Sequence, residues 1–169
     1  MGRELSLQFA KEWATVVVVA RRKERLEEIT KIALDEKYAG KIVPYVGDLS
    51  KEGTNNEMID YTFKNFGTLD ILINNAGVLD NFAPVAEVTD ECINKVIAVD
   101  MMAPFYSTRK AVNEFSNHNI KGNIINIASI AGLCGGKAGT SYTMAKHAVV
   151  SLTKNIAFVY PKIQVQIYL

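Results

Sequence analysis

The sequence predicts an α/β fold in which helices lie on both sides of a parallel sheet. Short runs of β-branched and apolar residues alternate with longer stretches whose apolar residues recur at helical spacing. One of these runs, Thr15–Ala20, is apolar almost throughout, which is typical of a parallel strand buried on both faces. Such alternation predicts three layers, α/β/α, with right-handed crossovers.

Length and composition point to one folded domain over residues 1–169. The chain is 49% hydrophobic and 22% charged, as in ordinary globular proteins, and its formal net charge is +1. The sequence has no basic block, so we expect no nucleic-acid partner, and no apolar run long enough to predict a membrane partner. The two cysteines are too few for a disulfide framework, and the start lacks a signal-peptide core, so we expect a cytoplasmic protein.

The first half of the chain predicts two strands and three helices. Pro44 lacks a backbone N–H, so the strand that contains it should lie at an edge. Gly40 and Gly67 mark helix ends. The predicted elements are a helix over residues 3–12, the strand Thr15–Ala20, a helix over 21–37, the strand Lys41–Val46, and a helix over 51–66.

The second half continues the alternation. Thr89 or Asp90 is expected to cap a long helix. The predicted elements are a strand over residues 69–73, an irregular segment, a helix from about 89 to 115, a strand over 124–127, a glycine-rich loop, a helix over 141–160, and a strand over 163–169.

Tyr142 and Lys146 are candidates for proton transfer. Residues four apart lie on one face of a helix, so the ammonium should lie beside the phenol. Lowering a phenol pKa from about 10 to about 7 requires about 4 kcal/mol. One positive charge about 4 Å away supplies about that much at an effective dielectric near 20. Such a pair can move a proton at an alcohol or carbonyl oxygen.

Ser129 distinguishes this pair from a second Tyr-x-x-x-Lys match at Tyr106 and Lys110. Ser129 lies thirteen residues before Tyr142, at the end of a predicted buried strand, where open α/β sheets place ligands. No strand lies at that distance before Tyr106, which we interpret as an ordinary helix residue. Taken singly, Ser129 is also explained as a polar strand end, and Lys146 as a solvated helix charge.

Ser129, Tyr142 and Lys146, with Asn74-Asn75-Ala76-Gly77 upstream, resemble the classical short-chain dehydrogenase/reductase family over nearly the whole chain. The resemblance implies a Rossmann-like doubly wound parallel sheet and an oxidoreductase that passes a hydride between a nicotinamide cofactor and an alcohol or ketone. By the same resemblance, Tyr142 is the acid/base and Ser129 steadies the substrate oxygen. Lys146 lowers the pKa of Tyr142 and holds the nicotinamide ribose.

The resemblance also implies a set of residues around the cofactor. Their sequence context admits simpler interpretations, since the asparagine-glycine motif is also a plain turn and Asp48 also suits a helix cap. The cofactor-proximal residues are Asn74, Ala76 and Gly77 after one strand, Asp48 and Leu49 after another, and Tyr142 and Lys146 on the late helix.

Ala20 and Arg21 lie where we expect the residue that distinguishes NAD from NADP at the 2′ position of the adenosine ribose. An acidic residue there would bind the 2′-hydroxyl of NAD, whereas an arginine accommodates the 2′-phosphate of NADP. Ala20 is not acidic and Arg21 follows it, so NADP(H) is favoured and NAD(H) is the alternative. Arg21 is also explained as a solvated residue at a helix start, although a positive charge opposes the helix dipole there.

Three departures from the family pattern stand out. Of the glycine-rich turn before the first helix only Gly2 is present, and the strand that would precede it is absent. The elements after the strand over residues 163–169 are also absent. Asp100 stands where the family has an asparagine in a proton relay, and an ionised carboxylate accepts but does not donate. We therefore expect a fold that lacks its first strand and C-terminal elements.

Two functions of different classes follow. The first is an NADP(H)- or NAD(H)-dependent oxidoreductase acting on a small alcohol or carbonyl substrate. The second is a non-catalytic fragment or remnant that binds no cofactor; a methyltransferase or flavodoxin-like domain is weaker because it leaves the Ser-Tyr-Lys spacing unexplained.

No metal is expected, since His118 and His147 lack ligands at metal spacing. A homodimer or tetramer, implied by the resemblance, would need apolar positions such as Phe105, Ala111, Val149 and Phe158, which a core face of the chain itself would equally explain.

Overall fold

The computed structural model describes all residues, 1–169, and divides into two compact units, Met1–Leu49 and Ser50–Leu169. The first unit has two parallel strands in one small sheet, in which Val18 lies opposite Pro44. Its elements are α1 (Gly2–Lys11), β1 (Thr15–Ala20), α2 (Lys23–Asp35) and β2 (Lys41–Val46).

Apolar residues from all four elements form the core of the first unit. Leu7, Leu26, Ile29 and Ile42 are its largest buried members. The prediction that β1 is buried on both faces is wrong, because its residues after Thr15 are only half-buried. The physical reason is that β1 has a hydrogen-bonded neighbour on one side only; β2 likewise pairs only with β1, as predicted for a strand that contains Pro44.

The second unit is a three-stranded parallel sheet with helices packed against it. The strand order is β3-β4-β5, so the middle strand in sequence is also the middle strand of the sheet. Its elements are α3 (Glu52–Phe66), β3 (Ile71–Asn74), α4 (Asp90–Val96), α5 (Ala103–Asn117), β4 (Asn123–Ile127), α6 (Thr140–Val159) and β5 (Gln164–Tyr168).

A π-helical turn, Ile97–Met102, joins α4 to α5 in one continuous helical segment. Thr89 caps α4, as predicted, by accepting a hydrogen bond from the Cys92 N–H. Pro104 lacks the N–H that would bond to the carbonyl of Asp100, so the α-helical ladder is interrupted at that point. Single π-turns of this kind occur often at functional sites.

The sheet of the second unit buries one face more deeply than the other. In β4, Ile124 and Asn126 are fully buried, whereas the alternate residues are half-buried. In β5, Val165 and Ile167 are the half-buried residues, and Ile167 packs on Val149 and Val150 of α6. This alternation confirms the predicted final strand, and its deeper face carries the helices.

Parallel strands joined by helices confirm the predicted α/β class. That the two units form a single domain stays a prediction. No helix has the length and apolar character needed to cross a membrane. Of the four apolar positions considered for a subunit interface, Ala111 and Val149 belong to the chain's own core, whereas Phe105 and Phe158 are exposed.

Candidate active site

Tyr142 and Lys146 lie in the first half of α6, one helical turn apart. Tyr142 is the third residue of the helix and is half-buried. The Lys146 Nζ lies 5.3 Å from the centroid of the Tyr142 ring, although the lysine side chain is only 5% exposed. The predicted shared face therefore brings the cation to the phenol ring.

Ser129 reaches Tyr142 from the end of β4. It is half-buried in extended backbone, and its Oγ accepts a hydrogen bond from the Ala131 N–H at the start of a 3₁₀ turn, Ile130–Gly132. The Ser129 side chain lies near enough to the phenol to act on the pKa of Tyr142, which it lowers. The structure thus brings together the serine, tyrosine and lysine that the sequence singled out.

The pKa of Tyr142 is nevertheless raised above its ordinary value, and here the sequence-based prediction is wrong. Burial of the phenol is the largest cause, and the negative charges of Asp100 and Asp80 add to it. Lys146 is expected to lower this pKa, but its ammonium lies beside the Asp100 carboxylate, whose charge offsets its effect. The phenol therefore keeps its proton at neutral pH.

Asp100, which lies in the π-helical turn, forms an ion pair with Lys146. Its Oδ1 lies 3.2 Å from Lys146 Nζ in an ion pair, and Nζ also donates to the Ile127 carbonyl at 3.1 Å. Its Oδ2 accepts a hydrogen bond from the Val78 N–H at 2.8 Å. Burial raises the pKa of Asp100, which the Val78 hydrogen bond and the lysine charge only partly offset.

Gly77 packs closely against this ion pair. A Cβ at this position would lie 2.7 Å from Asp100 Oδ1 and 3.6 Å from Lys146 Nζ, so any other residue would crowd the pair. Gly77 is exposed and Ala76 is half-buried. The Lys146 ammonium itself is nearly fully buried, so the exposed Gly77 and the half-buried Tyr142 are the accessible parts of this region.

Asn74, predicted to border the cofactor, ties the sheet to its helices in this structure. Its Nδ2 donates to Asn126 Oδ1 at 2.8 Å and to Thr108 Oγ1 at 3.2 Å, and its Oδ1 accepts from Ser107 Oγ at 2.7 Å. Asn126 in turn donates to Thr153 Oγ1 of α6 at 2.9 Å. This network fixes the ends of β3 and β4 relative to α5 and α6.

The remaining cofactor candidates lie in the first unit. Gly2 begins α1, Ala20 ends β1 and Arg21 follows it as an exposed residue. The half-buried residues Asp48 and Leu49 follow β2. These residues and those around Tyr142 belong to different units, so their joining in one cofactor site stays a prediction.

Asp80 is a member of the site that sequence reasoning missed. It is 1% exposed, and its carboxylate accepts hydrogen bonds at the start of α6, including one from the Tyr142 N–H. Burial would raise its pKa, but the hydrogen bonds from Tyr142, Ser141, Gly139 and Phe82 outweigh it and lower the pKa. The available signal was an aspartate in an otherwise irregular segment next to the asparagine-glycine motif.

The second Tyr-x-x-x-Lys match is structural, as interpreted. Lys110 pairs with Asp60 of α3 at 2.6 Å and with Glu114 at 2.7 Å. These two carboxylates raise the pKa of Lys110. The ion pair between Lys110 and Asp60 therefore joins α3 to α5. Elsewhere, no group of three or more His, Cys, Asp or Glu residues is placed to hold a metal ion.

The sequence has well-described relatives. A 3beta-hydroxysteroid dehydrogenase 2 of Eggerthella lenta is 38% identical over 160 residues, which cover 95% of this chain and 61% of that protein. The chain therefore spans about three fifths of the length of this curated relative.

Solved structures share the fold. Levodione reductase superposes with a TM-score of 0.91 at 27% identity, covering 98% of this chain and 65% of that one. ElxO with NADP bound gives 0.88 at 31% identity, covering 98% and 66%. An NAD⁺-bound xylitol dehydrogenase gives 0.88 at 26% identity, covering 99% and 65%. These are Rossmann folds, so the predicted fold class is confirmed.

The family assignment rests on the whole sequence rather than on the motifs alone. The match to the family described as short chain dehydrogenase covers the whole of this chain, residues 1–169. The chain accordingly belongs to the short-chain dehydrogenase/reductase family of oxidoreductases.

Proposed function

We propose that this protein is an NAD(P)-dependent oxidoreductase that interconverts an alcohol and a carbonyl compound, with Ser129, Tyr142 and Lys146 as its catalytic residues. One observation supports it above the others: the Ser129 hydroxyl and the Lys146 ammonium both lie at the Tyr142 side chain. A hydroxyl, a phenol and a cation in this arrangement suit a site where a carbonyl oxygen gains charge and a proton.

In the reductive direction, Tyr142 is the proton donor. Its raised pKa keeps the phenol protonated at neutral pH, so the proton is available to the substrate oxygen. Ser129 donates a hydrogen bond to the same oxygen and steadies its developing charge. The nicotinamide cofactor, when bound, supplies the hydride.

Lys146 and Asp100 act as a unit beside the phenol. The ammonium would hold a ribose hydroxyl of the cofactor and favour the phenolate left after proton transfer. Asp100 keeps this ammonium in place and, unlike the asparagine of the family pattern, adds a negative charge that opposes phenolate formation.

NADP(H) is the favoured cofactor and NAD(H) the alternative. In the proposed site, Tyr142, Lys146, Asn74, Ala76 and Gly77 would hold the nicotinamide half. Gly2, Asp48 and Leu49 would hold the rest, and Arg21 would bind the 2′-phosphate because Ala20 offers no acid to a 2′-hydroxyl. Solved relatives support the class of cofactor, since one holds NADP and another NAD⁺.

The alternative is a non-catalytic protein of the same family. Lys146 is nearly fully buried and already paired with Asp100, which also describes a structural ion pair. Under this alternative the chain binds no nicotinamide cofactor. A cytoplasmic setting, a small alcohol or carbonyl substrate and a homodimer or tetramer belong to the enzyme proposal.

Thermal unfolding with NADPH or NADH tests cofactor binding. A ligand at about 100 times its Kd adds about 2.7 kcal/mol, or a rise in Tm of about 5–10 °C for a chain of this size. We expect NADPH to raise the Tm more than NADH, and R21E to reverse that order, whereas R25E at an exposed position of α2 should not. No shift with either cofactor would favour the non-catalytic alternative.

A further inference from the structure

Asp80 connects an irregular loop to the helix that carries the proposed catalytic tyrosine. Its Oδ1 accepts from the Gly139 N–H at 3.0 Å, and its Oδ2 accepts from Ser141 Oγ at 3.0 Å and from the Tyr142 N–H at 2.9 Å. Both Asp80 and Ser141 are almost fully buried. One carboxylate thus satisfies three donors at the start of α6.

The backbone around this carboxylate is built for close approach. A Cβ on Gly139 would lie 2.5 Å from Asp80 Oδ2 and 2.6 Å from the Ala83 N, so only glycine fits there. The Thr140 N–H donates to the Ala83 carbonyl at 3.0 Å. The loop and the start of α6 are therefore joined by backbone as well as by side chain.

This contact matters because Tyr142 lies in the first turn of its helix. The first N–H groups of an α-helix have no partner within the helix, and the ends of helices fray. At Tyr142 the Asp80 carboxylate supplies that partner. Lys146, one turn later, is held independently by Asp100 and Ile127. Without Asp80, the Tyr142 N–H would lose its partner, and the start of α6 would be joined to the loop only by the Thr140–Ala83 hydrogen bond.

We propose that Asp80 is a positioning residue for Tyr142, fixing the first turn of α6 so that the phenol stays within reach of Ser129 and of the substrate oxygen. The proposal deepens the proposed function and rests on it. Asp80 makes no contact with the reacting atoms in this account. It acts through the tyrosine's backbone.

The competing explanation is an ordinary helix cap that contributes only stability. Thr89 provides the comparison, because its side chain caps α4 through the Cys92 N–H at 3.2 Å. T89A removes a cap of the same kind from another helix, so its effect on Tm calibrates what a purely structural loss does. Any change beyond that is attributable to the tyrosine.

Two variants of Asp80 separate the loss of its charge from the loss of its hydrogen bonds. D80A removes the three acceptor contacts to the start of α6 and the one to the Phe82 N–H. D80N keeps an amide oxygen for Ser141 and Tyr142, while its NH₂ group faces the Gly139 N–H and loses that contact. We expect D80N to retain most of the function that D80A loses. If D80A does not fold, D80N is the variant that is measured in its place.

The first measurement is steady-state reduction of levodione by NADPH at a temperature where every variant is folded. D80A should lower kcat at least tenfold, as expected for a misplaced catalytic group, with the KM for NADPH changed less than twofold. D80N and T89A should stay within about threefold of the unsubstituted chain. Equal effects of D80A and T89A on kcat at equal loss of Tm would overturn the proposal.

The second measurement needs no activity. In protein labelled with ¹³C at the tyrosine ring, the Tyr142 resonance is identified by its loss in Y142F. D80A should move this resonance and the midpoint of its pH titration further than D80N does, because both variants remove the Asp80 charge but only D80A removes the acceptor of the Tyr142 N–H; T89A should leave both unchanged. An unmoved resonance in D80A overturns the proposal even if the chain reduces nothing, so this failure is distinguishable from failure of the proposed function.

Discussion

Lys146 Nζ lies 3.2 Å from Asp100 Oδ1, and the two side chains are 5% and 0% exposed. The pair joins α6 to the π-helical turn within hydrogen-bonding reach of the Val78 N–H. It places a buried negative charge near Tyr142, where the family pattern has a neutral amide. Much of the chemistry expected of this site follows from that one charge.

Replacing this charge should change the titration of the tyrosine. In D100N the negative charge that raises the pKa of Tyr142 is gone, so the pKa should fall. The ¹³C-tyrosine titration measures it directly, and the pH profile of reduction should shift to lower pH with it. D90N, at an exposed position of α4, is the control and should have no effect. An unchanged or higher pKa in D100N contradicts the assignment.

Removing the lysine should destabilise the fold. K146M leaves the Asp100 carboxylate buried with only the Val78 hydrogen bond, and breaking a buried pair in this way costs about 3–5 kcal/mol. Urea unfolding measures the loss. K154M, at an exposed position on the same helix, should change stability by less than about 0.5 kcal/mol. Equal stability of the two variants would show that the Lys146–Asp100 ion pair does not stabilise the fold.

Asn126 should be needed for the polar network behind the site. N126L removes the acceptor of Asn74 and the donor to Thr153 and leaves their polar groups under-satisfied in the core. We expect a loss of about 2 kcal/mol in the free energy of unfolding. N155L, on the exposed face of α6, is the matched control. A neutral N126L would mean that Asn74 is held by its contacts to α5 alone.

Local sequence was sufficient to predict that Ser129, Tyr142 and Lys146 lie together and to predict most helices and strands. Spacing four apart on a helix placed Lys146 against Tyr142, and the end of a β-branched run placed Ser129 beside them. Alternating apolar residues identified β5. These features depend on residues close in the chain, so their periodicity is visible without the fold.

Other features depend on contacts that no local pattern contains. Asp80 acts on a helix about sixty residues later, and Asn126 bridges two strands and a helix, so neither role is visible in its own segment. The raised pKa of Tyr142 required the relative positions of Asp100 and Lys146. Pro104 inside a predicted helix was the one local signal for the π-helical turn.

Acid should remove the stabilising contribution of Asp80. Its pKa is lowered below the ordinary 3.8, so its ionised form favours the folded state above the unfolded-state pKa. This contribution is lost as the pH falls through the folded-state pKa. Asp100, whose pKa is raised, acts in the opposite sense, because its burial cost is relieved as the pH falls through its folded-state value.

Urea unfolding of the unsubstituted chain and of D80N as a function of pH measures this effect. The difference in their free energies of unfolding should be largest near neutral pH and should shrink below about pH 4. A difference that is constant with pH would mean that the Asp80 charge does not contribute.

The most direct test of the account compares the unsubstituted chain with Y142F in NADPH-dependent reduction of levodione and in NADP⁺-dependent oxidation of a 3β-hydroxysteroid, two probes chosen from the names of relatives and both followed by nicotinamide absorbance. We predict turnover of at least one substrate by the unsubstituted chain and a loss of about 100-fold or more in Y142F, the range expected when a general acid is removed. Turnover that survives in Y142F would contradict the assignment of Tyr142 as the catalytic acid, and an unsubstituted chain that turns over neither substrate with either NADP(H) or NAD(H) would favour the non-catalytic alternative.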